Sequence, residues 1–249
     1  MLNFLRKLRR KEMKTGRYLK YAIGEIILVV VGILIALQVS NLNENLKKNK
    51  ERDAFKASLK IELLADRKYL TTAIEELKKQ SNELAKFKEK IRLAGSDFSQ
   101  IKHIVQNDFQ PFLSDLKGFN NNTYNTHLSA GKLNLFSTEL QQALYFLNSL
   151  QLKAMEGHQK YTDLYFGQIE SFGAKFPLDI SIALVDKGEL YDKIWAKAQL
   201  EDLANALNAW GTSKRNYYRV VGPTVGNVLE QTELIISKYF AQNKNDQLP

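Results

Sequence analysis

The longest apolar segment of the chain runs from Tyr21 to Val39, YAIGEIILVVVGILIALQV, and contains one formal charge, Glu25. A helix of this length crosses the roughly 30 Å hydrocarbon core of a bilayer. A buried strand or a buried core helix would also be apolar, but the length of the segment and its basic flanks favour a membrane span. We therefore predict a transmembrane helix over residues 21–41 and a single-pass membrane protein.

Basic residues precede the predicted span. Residues 1–20 carry eight Lys or Arg and one acid, and their leucines and phenylalanine recur at helical spacing. This pattern predicts a basic amphipathic cytoplasmic segment that lies on anionic lipid, since basic interfacial helices are attracted to anionic headgroups. The excess of Lys and Arg favours a cytoplasmic N-terminus. No small-x-small cleavage site follows the apolar run, so we expect an uncleaved signal anchor.

Small residues form a stripe along the predicted span. Gly32, Ala36 and Ser40 recur every fourth residue and would therefore lie on one helix face. Such stripes let helix backbones approach closely in lipid, so the stripe predicts a homo-oligomer. Ordinary small-residue content is the alternative.

Glu25 is the polar candidate inside the span, about one turn from its cytoplasmic edge. Ionisable groups in the membrane are costly and usually functional. The alternative is an ion pair at the headgroup level with Lys20 or Arg17, since long side chains reach the interface.

Residues 41–94 contain neither Pro nor Gly and predict one long helix. Its first part, 42–60, is largely polar and predicts a stalk. A partial heptad follows, formed by Leu63, Leu70, Leu77, Leu84 and Ile91. The heptad indicates either a coiled-coil seam or one face of a bundle helix.

Apolar spacing and turn-forming residues predict further helices after the long one. Gly95 should end the long helix, and Ser96 or Asp97 should cap the next. Ser137 should cap a third long helix. The helices are expected at residues 98–105, 138–172 and 189–241, separated by irregular segments at 106–122 and 173–188, with a kink or break at Gly222-Pro223.

These elements predict an all-α fold, in which a transmembrane helix continues into a long helix and an extracytoplasmic bundle of three or four main helices. The expected domains are 1–20, 21–41, a stalk helix at 42–60, a helical bundle domain at 61–241, and a disordered tail at 242–249. Within residues 123–136 we expect a turn at Gly131 and buried side chains at Tyr124, Leu128, Leu133, Leu135 and Phe136.

Two segments carry a family resemblance: YAIGEIILVVVGILIALQVSNLNEN and, in mid-chain, TYNTHLSAGKLNL. With the long helix between them, they resemble an uncharacterised family of single-pass membrane proteins from Bacteroidota. At the position of His127 the family more often has an apolar residue, which argues against a catalytic histidine there. The resemblance implies a location and an architecture but no activity. The matching positions are Gly24, Glu25, Asn41, Asn43, Glu44, Thr123, Tyr124, Gly131, Lys132 and Leu133.

The net charge of +9 is concentrated at the predicted membrane flank. Residues 61–249 contain equal numbers of basic and acidic residues. A nucleic-acid-binding domain needs a basic face on its folded part, so we expect no nucleic-acid partner.

Recognisable catalytic chemistry is absent from the sequence. The chain has no cysteine, which excludes disulfides, thiol nucleophiles and thiolate metal sites. The histidines, His103, His127 and His158, have no metal-ligand spacing, and there is no P-loop, Rossmann glycine pattern or GxSxG. We therefore predict no catalytic residue, no metal and no cofactor.

Two hypotheses for the function follow. The first is a membrane-anchored helical interaction or ligand-binding, sensor-like module of the cell envelope, with a periplasmic protein or small molecule as partner. The second is an envelope enzyme with a carboxylate or histidine site outside known motifs. For both we expect the bacterial inner membrane, a cytoplasmic N-terminus and a periplasmic main domain.

Overall fold

The structure, a computed structural model, describes residues 2–178, 185 and 187–241, with side chains from residue 20 onward. All regular elements within these residues are helical, which confirms the predicted all-α class. Two predictions, the disordered tail at 242–249 and the amphipathic pattern of side chains in residues 1–19, lie outside the described residues and side chains. The helices are α1 (Leu2–Ala94), α2 (Phe98–Asp108), α3 (Asn122–Ser129), α4 (Thr138–Gly173), α5 (Glu189–Ala196) and α6 (Leu200–Tyr239), with a 3-10 turn at Leu133–Leu135.

The contacts divide the chain into two compact units, residues 1–56 and 57–249. The first unit contains the apolar part of α1. An eighteen-residue window there has a mean hydropathy of 2.6 and none of it is buried. Among the described residues, one helix is long enough and apolar enough to span a membrane, and this segment of α1 belongs to it.

The second unit is a helical bundle in which α4 and α6 form the main helix pair. On α6 the buried residues Tyr217, Val221, Val225 and Val228 recur every three or four positions, as expected for a helix with one face in a core. On α1, Leu63, Leu70 and Leu77 are buried. The first part of the heptad face therefore packs inside the chain's own bundle.

The predicted helix ends are confirmed at three places. Gly95 has a φ of +59°, a left-handed conformation that favours glycine. Asp97 caps α2 by accepting a hydrogen bond from the Gln100 amide. Ser137 caps α4 by accepting one from the Leu140 amide. α2 extends to Asp108, three residues beyond the predicted end.

A kink or break was predicted at Gly222-Pro223, and the break is wrong, because α6 continues through Pro223. The break falls instead between Ala196 and Leu200. Proline leaves the carbonyl four residues earlier without its donor. The Thr224 hydroxyl donates to the nearby carbonyls of residues 220 and 221, and the fully buried valines on the opposite face keep the helix in the core.

Two predictions for residues 123–136 are also wrong. Leu128 is 40 % exposed and Leu135 is half-buried, whereas Tyr124, Leu133 and Phe136 are buried as predicted. The cause is a short helix, α3, followed by a turn at Gly131 with a φ of +66°. This geometry directs Leu128 to the surface.

Candidate functional site

Residues 109–121, the connecting segment, have no regular structure, yet part of this segment is covered by the bundle. Buried backbone groups need hydrogen-bond partners. Side chains of α1, α4 and α6 supply them at several points along the segment. The contributing residues are Asp66, Tyr69, Gln80, Tyr165, Lys214 and Tyr217.

Lys214 on α6 is the cation most strongly affected by this arrangement. It is 3 % exposed, and its ammonium group donates to the carbonyl oxygens of Gln110 and Phe112, the latter at 3.1 Å. The ammonium also lies 5.4 Å from the ring centroid of Trp210, within cation–π range. Burial lowers the pKa of Lys214 to about 8, and the charge of Glu83 opposes this shift.

Buried tyrosines hold the same segment from α4 and α6. The Tyr165 hydroxyl donates to the carbonyl of Pro111 at 2.5 Å and accepts from the Trp210 indole at 2.9 Å. The Tyr217 hydroxyl donates to the carbonyl of Ser114 at 3.1 Å. Burial raises the pKa of both phenols, so they remain neutral donors at physiological pH.

The carboxylates of α1 bind the end of the connecting segment and the start of α3. Asp66 is 1 % exposed and accepts from the backbone amide and the side-chain amide of Asn120. Burial raises the pKa of Asp66, and the hydrogen bonds from Asn120 oppose the shift. Glu62 accepts from the amide and the hydroxyl of Thr123. A carboxylate at a helix N-terminus also has a favourable interaction with the helix dipole.

A cleft of about 540 Å³ opens beside Lys214. We call it the Lys214 cleft. Two ion pairs stand among its lining residues, Lys90 with Asp108 at 2.8 Å and Lys79 with Glu76 at 3.5 Å. Its apolar wall consists of Leu84, Phe87, Phe112 and Trp210. The cleft therefore combines aromatic surface with charged groups of both signs, as small-ligand sites do.

The predicted motif of the mid-chain segment forms a structural unit around α3. Thr123 bonds Glu62 as described, and Tyr124 is buried with its ring edge-on to Tyr145 at 6.3 Å. Gly131 and Lys132 make the turn, in which the Lys132 amide donates to the His127 carbonyl at 2.8 Å. Leu133 is buried beyond it. None of the five motif residues lines the Lys214 cleft.

The predicted span residues lie in the first unit. Glu25, Gly32, Ala36 and Ser40 are all exposed on α1. Nothing lies within 4 Å of a Cβ built at Gly32, so this face is open within the single chain. The prediction of a role in assembly stays a prediction.

The histidines do not converge on one site. His158 is buried and bonds the Tyr217 hydroxyl at 3.0 Å, and burial lowers its pKa. His103 contacts Asn107 on α2, and His127 contacts the carbonyl of Thr123 on α3. Over the described residues, no group of three His, Asp or Glu side chains could hold a metal ion.

Sequence reasoning missed Lys214, although a signal was present. Lys214 lies four residues after Trp210 and three before Tyr217, which places it on the apolar stripe of α6. A lysine on such a stripe needs buried acceptors. The acceptors are carbonyls more than one hundred residues earlier, and no local pattern could identify them.

A family model described as "Family of unknown function (DUF6090)" matches residues 25–170, which is more than half of the chain. Neither the curated proteins nor the solved structures contain a match. The chain belongs to the family of unknown function DUF6090.

Proposed function

We propose that this protein is a membrane-anchored helical module of the bacterial cell envelope that binds a small ligand in the Lys214 cleft. One observation carries the proposal: a cleft of about 540 Å³ has a buried ammonium group in its wall. This volume lies within the roughly 300–1,000 Å³ of small-molecule sites. The anchor is the apolar segment of α1, which is fully exposed in the single chain.

The lining of the cleft indicates a polar ligand with one flat or apolar part. Phe87 and Trp210 offer ring surface, and aromatic side chains bury large areas of ligand. Asn107 adds an amide group to the cleft, and an amide oxygen can accept hydrogen bonds from a ligand. Charged residues of both signs at the cleft favour a ligand that carries hydrogen-bonding groups.

The contacts of the titratable groups favour binding over catalysis. The Lys214 ammonium is hydrogen-bonded to the Phe112 carbonyl of the connecting segment. The Asp66 carboxylate is hydrogen-bonded to the backbone amide of Asn120 near the end of that segment. His158 is hydrogen-bonded to the Tyr217 hydroxyl and does not line the Lys214 cleft. We therefore place the enzymatic alternative second.

The proposal includes the inner membrane, a cytoplasmic N-terminus and a periplasmic bundle. The supporting feature is the basic residues that precede the apolar segment, as the positive-inside rule describes. Protease treatment of spheroplasts tests this orientation. Protection of the bundle together with cleavage of the N-terminus would reverse it.

Native mass spectrometry of the full chain in mild detergent tests ligand binding. We expect a bound small molecule that is released on denaturation. Glu83→Trp should abolish this adduct, because residue 83 lines the cleft. Lys78→Trp is the matched control: it is an exposed position of the same helix outside the cleft lining.

The two variants together distinguish binding in the cleft from its absence. Loss of the adduct in Glu83→Trp and its retention in Lys78→Trp support the proposal. An adduct of equal occupancy in both variants, or no adduct in the parent chain after gentle extraction, contradicts it.

A further inference from the structure

A second cavity of the bundle has an apolar floor and a basic rim. It has a volume of about 300 Å³ and is lined by residues of α1, α2 and α6. Its floor includes the buried side chains Phe87, Ile101 and Leu207. Lys88 and Arg215 line the same cavity and are exposed. We call it the Arg215 pocket.

Small residues on α6 create this space. Ala204 and Gly211 both line the pocket, and their separation of seven residues puts them on one helix face. A Cβ built at Gly211 would meet nothing within 4 Å. The helix therefore leaves room that a larger side chain at this position would fill.

The charged residues that line the pocket, Lys88 and Arg215, are both basic. No Asp or Glu is among its lining residues. In the described part of the chain, neither Lys88 nor Arg215 has a carboxylate within the 4.0 Å of an ion pair. Asn208 and Thr212 add hydrogen-bonding groups at the same wall. An occupant that complements this surface has an apolar body and an anionic end.

We propose that the Arg215 pocket binds a single-chain anionic amphiphile, a fatty-acid-like carboxylate. Its chain lies on the floor and displaces water from apolar surface, which is favourable in proportion to the area covered. Its carboxylate pairs with Lys88 and Arg215, and arginine offers the planar fork that matches a carboxylate. This site does not depend on ligand binding in the Lys214 cleft.

Tryptophan fluorescence reports occupancy, because Trp210 lines the pocket. Trp210 also lines the Lys214 cleft, so the assignment of quenching to the pocket depends on a variant at Gly211, which lines the pocket and not the cleft. The chain has two tryptophans, so Trp195→Phe leaves Trp210 as the sole reporter. The full chain is placed in peptidiscs without free detergent and titrated with ω-bromodecanoate, whose bromine quenches indole on contact. The cationic probe ω-bromodecyl-trimethylammonium has the same chain and the opposite charge. Thermal shifts of the unmodified chain with decanoate provide a second measurement if Trp195→Phe fails to fold.

Saturable quenching by the carboxylate, with at least roughly tenfold weaker quenching by the ammonium probe, is expected. Lys88→Gln with Arg215→Gln should remove this charge preference, and Gly211→Phe should abolish quenching by filling the pocket. Gly226→Phe is the control, since residue 226 lies on the same helix with open space at its Cβ and outside the pocket lining. Equal quenching by both probes, or quenching that survives Gly211→Phe as it does Gly226→Phe, overturns the proposal.

Discussion

The Thr123 hydroxyl donates to the Glu62 carboxylate at 2.7 Å, although the two residues are 61 positions apart in the chain. The Thr123 amide donates to the same carboxylate at 3.0 Å. Glu62 therefore supplies from α1 the capping group for the N-terminus of α3, where no local side-chain cap is formed. A buried amide without a hydrogen-bond partner at that end would destabilise the folded chain.

A double-mutant cycle measures this capping contact. Thr123→Ala and Glu62→Gln should each lower the free energy of unfolding by about 1–2 kcal/mol. The double variant should lose less than the sum, because both changes remove one interaction. Urea denaturation followed by circular dichroism gives the values, with Thr126→Ala on the exposed face of α3 as the control. Strictly additive losses would show that the two residues do not interact.

Stability should depend on pH through Lys214. Burial lowers its pKa to about 8 from 10.5, so between these values the folded chain binds fewer protons at this site than the unfolded chain does. The free energy of unfolding should therefore rise from pH 8 to pH 10, by on the order of 2 kcal/mol. Above about pH 10 it should fall, because burial raises the pKa of Tyr165, Tyr217 and Tyr218 and unfolding then releases protons.

Chemical denaturation at a series of pH values checks this dependence. Lys214→Met should remove the rise between pH 8 and pH 10. Lys153→Met, at an exposed position of α4, should retain it. A rise of equal size in both variants would assign the effect to another group.

Gly131→Ala should destabilise the bundle by about 1 kcal/mol, because Gly131 has a φ of +66° and a side chain is disfavoured there. No atom lies within 4 Å of the added Cβ, so the cost is in the backbone alone. Asn should cost less than Ala, since it tolerates this conformation better. Gly167→Ala inside α4 is the comparison and should be stabilising. A neutral Gly131→Ala would contradict the turn geometry.

Pro223→Ala should stabilise the bundle by about 1–3 kcal/mol. The helix already continues through this position, and alanine adds the amide that can donate to the carbonyl of Arg219. Thermal unfolding of the full chain, followed at 222 nm by circular dichroism, checks the change. A lower melting temperature would mean that the path of α6 depends on proline.

The small-residue stripe can be tested for a role in assembly. Gly32→Ile with Ala36→Ile should lower the oligomer mass of the full chain in mild detergent, because bulky side chains keep helix backbones apart. Val30→Ile with Leu34→Ile changes a different face of the same helix and should leave the mass unchanged. Helicity of the bundle should be the same in both. Equal masses for the parent and the Gly32/Ala36 variant would exclude this stripe as the assembly site.

Local patterns in the sequence were sufficient for the helical class, the apolar segment and several helix ends. Asp97 and Ser137 cap helices through contacts within three residues, and the left-handed Gly95 ends α1. Such features depend on propensity and on hydrogen bonds between near neighbours, which a sequence shows directly. The periodic leucines of α1 could also be recognised in the sequence. The surface against which they pack could not.

Only the tertiary structure decided the rest, because the decisive contacts join distant parts of the chain. α6 runs through Pro223, since the packing of its buried face outweighs the local cost of proline. Lys214 is buried because the carbonyls that accept from it arrive from residues 110 and 112. The Lys214 cleft and the Arg215 pocket exist where α1 and α6 fail to fill the space between them. Cavity and carbonyl positions are properties of packed helices, and no spacing along one helix encodes them.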